Sequence, residues 1–266
     1  MTDYALRMSS AELDRYRLMA EQARDLEGDL WAAAGIVPGA QVVDLGCGPA
    51  ATLLAMAEVV GPTGAIIGVD GDEGALEVAG RLIEASGLQN ARIVRGDVGE
   101  CGLPPGQFDV AVLRHVLAHN GPVEQAIVNH AASLVRPGGS VYLFDIDSTM
   151  FRHRNPYATN LEMWDRYTEF HALRGNDLQV GMRLVDLLIA AGLEVVVDSL
   201  VAVTLSPVPP GFRTPAWAAR EAMIADGIVD VETVARWEGA LLKEDLAPVR
   251  PSAYLPCFAA AGRRPA

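Results

Sequence analysis

The stretch Val42-Val43-Asp44-Leu45-Gly46-Cys47-Gly48-Pro49-Ala50-Ala51 decides the fold of this chain. A short apolar run ends on an acid and a leucine, two glycines follow, and a segment with helical apolar spacing begins at once. Glycines at 46 and 48 let the backbone approach a ligand closely at the carboxyl end of a strand. The same letters satisfy Gly-x-Gly-x-x-Ala, a weak dinucleotide signature. Asp44 separates the two readings. Its carboxylate stands just before the first glycine, beside the place where a pyrophosphate would lie, and like charges repel there. A ligand with a cationic amino-acid end is attracted instead.

Outward from this junction, Val- and Ile-rich runs at 42–45, 65–70, 92–95, 108–113 and 140–145 predict buried parallel strands. Segments 50–60, 73–86 and 123–135 carry helix-period apolar residues between them, and Gly61, Gly87 and Pro137-Gly138-Gly139 punctuate their ends. Repeated units of this length predict an α/β, doubly wound sheet covered by helices on both faces. Upstream, Ser9-Ser10-Ala11-Glu12 is a capping box opening a helix that reaches residue 26, with a second short helix to residue 34. Downstream, 183–191 reads as a helix, 193–203 as a strand, 216–246 as a helical stretch and 254–261 as a last strand. The expected division is a helical N-terminal cap (1–35), a core (36–147 with 181–205 and 252–266), and two lid insertions (148–180 and 206–251).

Composition narrows the partners. The 266 residues carry 34 acids against 21 Lys and Arg, a formal charge of −13. A phosphate backbone requires a basic footprint, so no nucleic acid is expected as substrate; a small neutral or cationic acceptor is. Cys47, Cys101 and Cys257 are odd in number and scattered, which fits a reducing cytoplasm better than a disulfide framework. MTDYALRM has no apolar core of a signal peptide, and apolar runs elsewhere are too short for a membrane span. The N-terminal helix and the 216–246 stretch each leave a homodimer open.

Two further acids follow the glycine bend. Asp70 ends the second strand, where an acid accepts hydrogen bonds from ribose hydroxyls, with Gly71 beside it. Asp97 lies just past the third strand, placed to accept from an adenine amino group while Val98 packs on the ring. Asp-Leu-Gly-Cys-Gly-Pro (44–49), Gly-Val-Asp (68–70), Gly-Asp-Val (96–98), Phe-Asp-Val-Ala-Val-Leu-Arg (108–114) and Leu-Val-Arg-Pro-Gly-Gly (134–139) together resemble the ordered motifs of class I, Rossmann-like S-adenosylmethionine-dependent methyltransferases of small-molecule type. The resemblance implies S-adenosylmethionine as cofactor, with Asp44, Gly46, Cys47 and Gly48 around its methionine part, Asp70 and Gly71 at the ribose, and Asp97 and Val98 at the adenine. It also implies a seven-stranded, mostly parallel sheet with an antiparallel last strand, and a donor contact from Arg114. Ala50 departs from the pattern, standing where many members have a third glycine. Tyr16 on the first helix is a further candidate contact to the donor or acceptor.

In such sequences the carboxyl end of the fourth strand faces the methyl group, so His115 is the first candidate for a general base and His119, one helical turn on, the second. Each serves equally well as a helix cap or in a polar niche. The pair also reads His-x-x-x-His, but Val116 stands in place of the metalloprotease glutamate and no third ligand is evident, so no metal is expected. Trp164, Tyr167 and His171 share one helix face and, with Asp147 at the end of the fifth strand, form the expected acceptor-binding set. Trp31, Phe170 and Trp217 are further candidates, with a core role the alternative for each. The expected function is direct methyl transfer to O, N or C of a small aromatic or apolar acceptor, in secondary metabolism. A nicotinamide-dependent oxidoreductase and a non-catalytic donor-binding module are the alternatives.

Overall fold

A computed structural model describes residues 10–266, with side chains from Arg15 onward; Ser9 of the capping box lies outside the described residues. Five strands run parallel: β1 (Gln41–Leu45), β2 (Ala65–Asp70), β3 (Ala91–Arg95), β4 (Phe108–Arg114) and β5 (Val135–Ile146). Their order is β3-β2-β1-β4-β5, so the direction of winding reverses between β1 and β4. Val42, Val43 and Leu45 of β1, Val110–Leu113 of β4 and Val141–Phe144 of β5 are all fully buried or nearly so. Strands covered on both faces are continuously apolar for this reason, rather than alternating.

The antiparallel last strand, β8 (Ser252–Arg263), sits one place in from the edge. It pairs with β5 on one side and with β7 (Glu194–Leu205) on the other. An eighth, three-residue strand that periodicity did not reveal, β6 (Arg152–Arg154), extends the pairing along Ser252–Tyr254. The segment read from sequence only as lid is therefore stitched to the sheet at its start. Around the sheet, α1 (Ser10–Ala34) packs on α2 (Ala51–Val60), and α2 on α3 (Glu73–Ser86); α4 (Glu124–Leu134) packs on α6 (Leu184–Ala190). Over the open end lie α5 (Ala158–Leu173), α7 (Pro215–Ala218), α8 (Arg220–Ala225) and α9 (Val231–Asp245). The stretch expected as one helix over 216–246 is three, because Gly227 takes a left-handed φ of 73° and Asp230 caps a fresh helix through the Thr233 N–H.

The N-terminal cap is one 25-residue helix and not two. Gly28 weakens the middle of α1 by about 1 kcal/mol relative to alanine, but burial of one face overrides that. Ala23, Glu27, Trp31 and Ala34 recur at helical spacing and are each 1% exposed. One member of this stripe is charged. Glu27 accepts from Arg114 Nε at 3.0 Å and Nη2 at 2.8 Å, from the Tyr142 hydroxyl at 3.0 Å and from Trp31 Nε1 at 3.3 Å. The guanidinium in turn lies over the Phe144 ring, 4.7 Å from its centroid. Burial pulls the Arg114 pKa down, and the charge and hydrogen bonds of Glu27 more than offset this, so the cation is held above its ordinary range. The pair joins α1 to β4, and Tyr142 adds β5.

Removing one partner of such a pair leaves an uncompensated buried charge, which costs about 3–5 kcal/mol. Glu27→Ala is accordingly expected to lower the unfolding free energy by about that amount in urea titrations. A loss below about 1 kcal/mol would show that α1 is held by its apolar face alone.

Candidate functional site

In open α/β sheets a ligand crevice forms outside the strand carboxyl ends where the winding reverses. Here the ends of β1 and β4 open into a cavity of about 750 Å³, within the roughly 300–1,000 Å³ range of small-molecule sites. At its floor the chain leaves β1 through Gly46, at a left-handed φ of 78°, where a Cβ would lie 2.5 Å from Val116. The amides of Gly46 and Cys47 both donate to the Val69 carbonyl, locking the bend to β2. Gly68 on β2 is needed for the same seat, since a Cβ there would come within 2.6 Å of both Leu53 and Cys47. Cys47 is buried, and burial pushes its thiol pKa far up, so it fills the turn as a small inert side chain. Ala50, at the departure from the glycine pattern, takes φ 64°, a conformation that costs an L-residue about 1–2 kcal/mol.

Along the cavity wall, Asp70 accepts from the Gly48 amide at 2.8 Å and the Asp72 amide at 2.9 Å, with Gly71 between its two loop segments. Burial raises its pKa, against those two amide bonds. Asp97 accepts from the Gly99 amide at 2.7 Å, and Val98 lines the cavity beside it. Asp44 is different. It is 4% exposed, and no hydrogen bond from another described residue reaches its carboxylate. Burial raises its pKa to about 7, with Arg114 pulling it down and Asp70 pushing it further up. A buried acid facing a cavity without a proton donor fits a cationic group of a ligand, and the methionine end of S-adenosylmethionine brings one. Tyr16, from α1, lines the same half. Arg114, expected as a donor contact, lines the cavity as well, with its Nε and Nη2 bonded to Glu27.

In the other half, His115 follows β4 at a left-handed φ of 56°, its amide donating to the Phe144 carbonyl. The expected helical His-x-x-x-His face does not form; only a 3₁₀ turn at Leu117–His119 follows, because the chain must first reverse out of the strand. His115 Nδ1 lies 3.8 Å from Asp145 Oδ1, and Asp145 is itself fixed by the Ala118 and Ile146 amides. Burial lowers the His115 pKa, partly offset by Asp145. His119 is lowered by burial to about 4, and its ring stands 4.9 Å from that of His171. From there an arc of rings continues through Tyr167, Trp164 and Phe151 to His153, with neighbouring centroids 4.3–5.6 Å apart. Trp217 lines the cavity as well.

Three sequence candidates fall elsewhere. Asp147 caps the turn at Ser148–Met150, accepting from the Thr149 amide and hydroxyl, and does not line the cavity. Trp31 and Phe170 are core, 1% and 0% exposed. Conversely, Arg15, Met19 and Gln22 of α1, Phe151 after β5 and Asn176 after α5 reach the site without having been singled out. Glu27 had left a trace, an acid on an apolar helical stripe; Asn176 left none. Among the described residues no three His, Cys, Asp or Glu side chains gather as a metal set, and no helix is long and apolar enough to cross a membrane.

A family model described as a methyltransferase domain matches residues 36–180, more than half of the chain. The chain is 29% identical over 151 residues to demethylmenaquinone methyltransferase of Geobacillus stearothermophilus, covering 56% of this chain and 64% of that one, just under two thirds of the relative's length. It is likewise 29% identical over 159 residues to an rRNA N(6)-adenosine-methyltransferase of Caenorhabditis elegans, with 58% and 72% covered. Its fold is similar to that of a SAM-dependent methyltransferase from Aquifex aeolicus, at a TM-score of 0.54 and 13% identity over 94% of this chain and 97% of that one.

The raised Asp44 pKa gives two linked expectations. In the ligand-free protein an acid whose folded pKa lies above its ordinary 3.8 withdraws stability as pH rises from there to about 7. Asp44→Asn should therefore be more stable than the parent at pH 8 and indistinguishable from it below pH 4, by thermal unfolding without ligand. Calorimetric affinity for S-adenosylmethionine should rise with pH through about 7 and be roughly 10–100-fold weaker and pH-independent in the variant. A pH-independent parent would remove Asp44 from the donor site.

Proposed function

We propose that this chain, which belongs to the class I S-adenosylmethionine-dependent methyltransferase family, methylates a small aromatic acceptor held in the same cavity as the donor. The observation that carries this reading is one chamber with two chemically distinct ends. A buried, partnerless carboxylate lies at one end and an arc of aromatic rings at the other. The bound donor supplies a methyl group already activated on a sulfonium, which leaves by direct displacement. The protein's task is then alignment, water exclusion and removal of the acceptor's proton.

Asp44, on this reading, accepts from the donor's cationic amino group and is fixed in its ionised form by it. Gly46, Cys47 and Gly48 leave room for the same end, Asp70 and Gly71 take the ribose, Asp97 and Val98 the adenine, and Tyr16 closes the donor half from α1. The core is 36–147 with 181–205 and 252–266, while 148–180 and 206–251 cover the acceptor. His115 is the base. With Nδ1 turned to Asp145, the lone pair of Nε2 is left for the acceptor's hydroxyl or amine proton, and the buried Asp145 carboxylate favours the imidazolium that results. The strained backbone of His115 places that ring at the end of β4. His119 is the second polar contact, and Trp164, Tyr167 and His171 form the acceptor wall.

A small acceptor accords with the charge of −13, which disfavours an RNA substrate despite the rRNA-modifying relative. The demethylmenaquinone relative supports an aromatic ring system bearing oxygen.

A panel of phenols, quinols and aryl amines incubated with S-adenosylmethionine is expected to yield a product heavier by one methyl in mass spectrometry. Donor binding with no methylated product from any member would leave a donor-binding module instead. With an active acceptor in hand, His115→Ala should lower kcat by roughly 10²–10⁴-fold with donor affinity within about threefold. Because burial lowers the His115 pKa, the acid limb of the parent's kcat profile should fall below the ordinary 6.5, the ring staying neutral and competent at lower pH. A limb above that value would assign the base elsewhere.

A further inference from the structure

The acceptor wall contains one polar atom without a partner. His171 is 3% exposed and lines the cavity. Its Nδ1 lies 2.9 Å from the amide nitrogen of Asn176. An amide nitrogen only donates, so Nδ1 accepts and the ring proton resides on Nε2. That Nε2 is buried and has no hydrogen-bond partner, one of two such side-chain atoms among the described residues. Tyr167 and Phe170 pack edge-on against the ring at 4.3 and 5.1 Å. Burial, and the nearby His119 and Arg174, lower the His171 pKa to about 3, so the ring stays neutral and keeps a single N–H. A buried donor left unsatisfied is destabilising, and a ligand oxygen removes that penalty.

We propose that His171, oriented by Asn176, is the hydrogen-bond donor to a ring oxygen of the methyl acceptor, which selects aromatic compounds bearing a carbonyl or hydroxyl over plain hydrocarbons. This rests on the acceptor site proposed above and narrows its substrate class. A hydrocarbon leaves the donor unsatisfied. Asn176 is a positioning residue: it sets which nitrogen carries the proton. Asn176→Asp presents an acceptor to Nδ1 and moves the proton there, leaving Nε2 as a lone pair.

The test uses the full chain saturated with S-adenosylhomocysteine and two probes of similar shape, 1-tetralone and its carbonyl-free counterpart tetralin, in calorimetric titrations. The parent is expected to prefer 1-tetralone by about tenfold. His171→Phe, which keeps a ring without the N–H, and Asn176→Asp should both bring the preference near unity while still binding tetralin. ¹⁵N-histidine spectra should show His171 as the neutral Nε2–H tautomer from pH 5 to 8, switching in Asn176→Asp. An equal preference in parent and His171→Phe, an Nδ1–H or charged ring in the parent, or failure of both probes to bind the parent would each overturn the proposal. Methylation of a phenol or quinol with no such discrimination would sink only the role of His171. Donor binding without methylation of any acceptor would sink the underlying function.

Discussion

The buried ion pair between Glu27 and Arg114 is the constraint on which the rest of the molecule turns. It places a cation under the cavity floor and a helix across the cavity mouth in a single contact. Tyr142 and Trp31 complete the coordination of the carboxylate, so α1, β4 and β5 meet at one dry point. Held there through Nε and Nη2, Arg114 lines the cavity, and its charge is felt at both Asp44 and His115. A buried pair of this kind contributes less to net stability than to specifying one arrangement over others. Here the arrangement specified is which end of the cavity lies under the N-terminal helix.

The same dryness sets the protonation of the site. Burial pushes the Asp44 carboxyl up and three histidines down, so the ligand-free cavity tends toward neutral forms on both sides. Charge enters with the donor. Asp44 is the buried carboxylate of this cavity that burial drives toward its neutral form in the absence of a cation.

The cavity residues at the ends of β1, β2 and β3 were legible in the sequence because they stand at fixed spacing from strand ends. Glycines 46 and 48, Asp70 and Asp97 each follow a strand end, and strand ends are marked by the change from β-branched runs to small residues. The half of the cavity beyond β4 and β5 was harder to read. Asp147 looked suited to it by position, yet a hydroxyl two residues on captured it as a turn cap. Trp31 and Phe170 were aromatic in aromatic-rich segments, but the faces of α1 and α5 that they occupy point inward. His115 and His119 reached the cavity by a left-handed residue and a 3₁₀ turn, where spacing alone implied a helix. The break expected in α1 after residue 26 was removed by packing of its buried face, and β6 was too short for any periodicity. Long-range partners such as Asn176 for His171 are set by how loops close, which local pattern does not record.

The interior position of β8 has a consequence for how the chain assembles. Seven of its residues pair with β5 on one side and eleven with β7 on the other, and both neighbours come earlier in the chain. Until residue 263 has emerged from the ribosome, β5 and β7 each expose a row of unsatisfied amides and carbonyls, an open slot that invites strands from other chains. Completion of this sheet is therefore a non-local event that waits on its last strand, and Cys257 and Ala259–Ala261 reach their places in the core only at that moment.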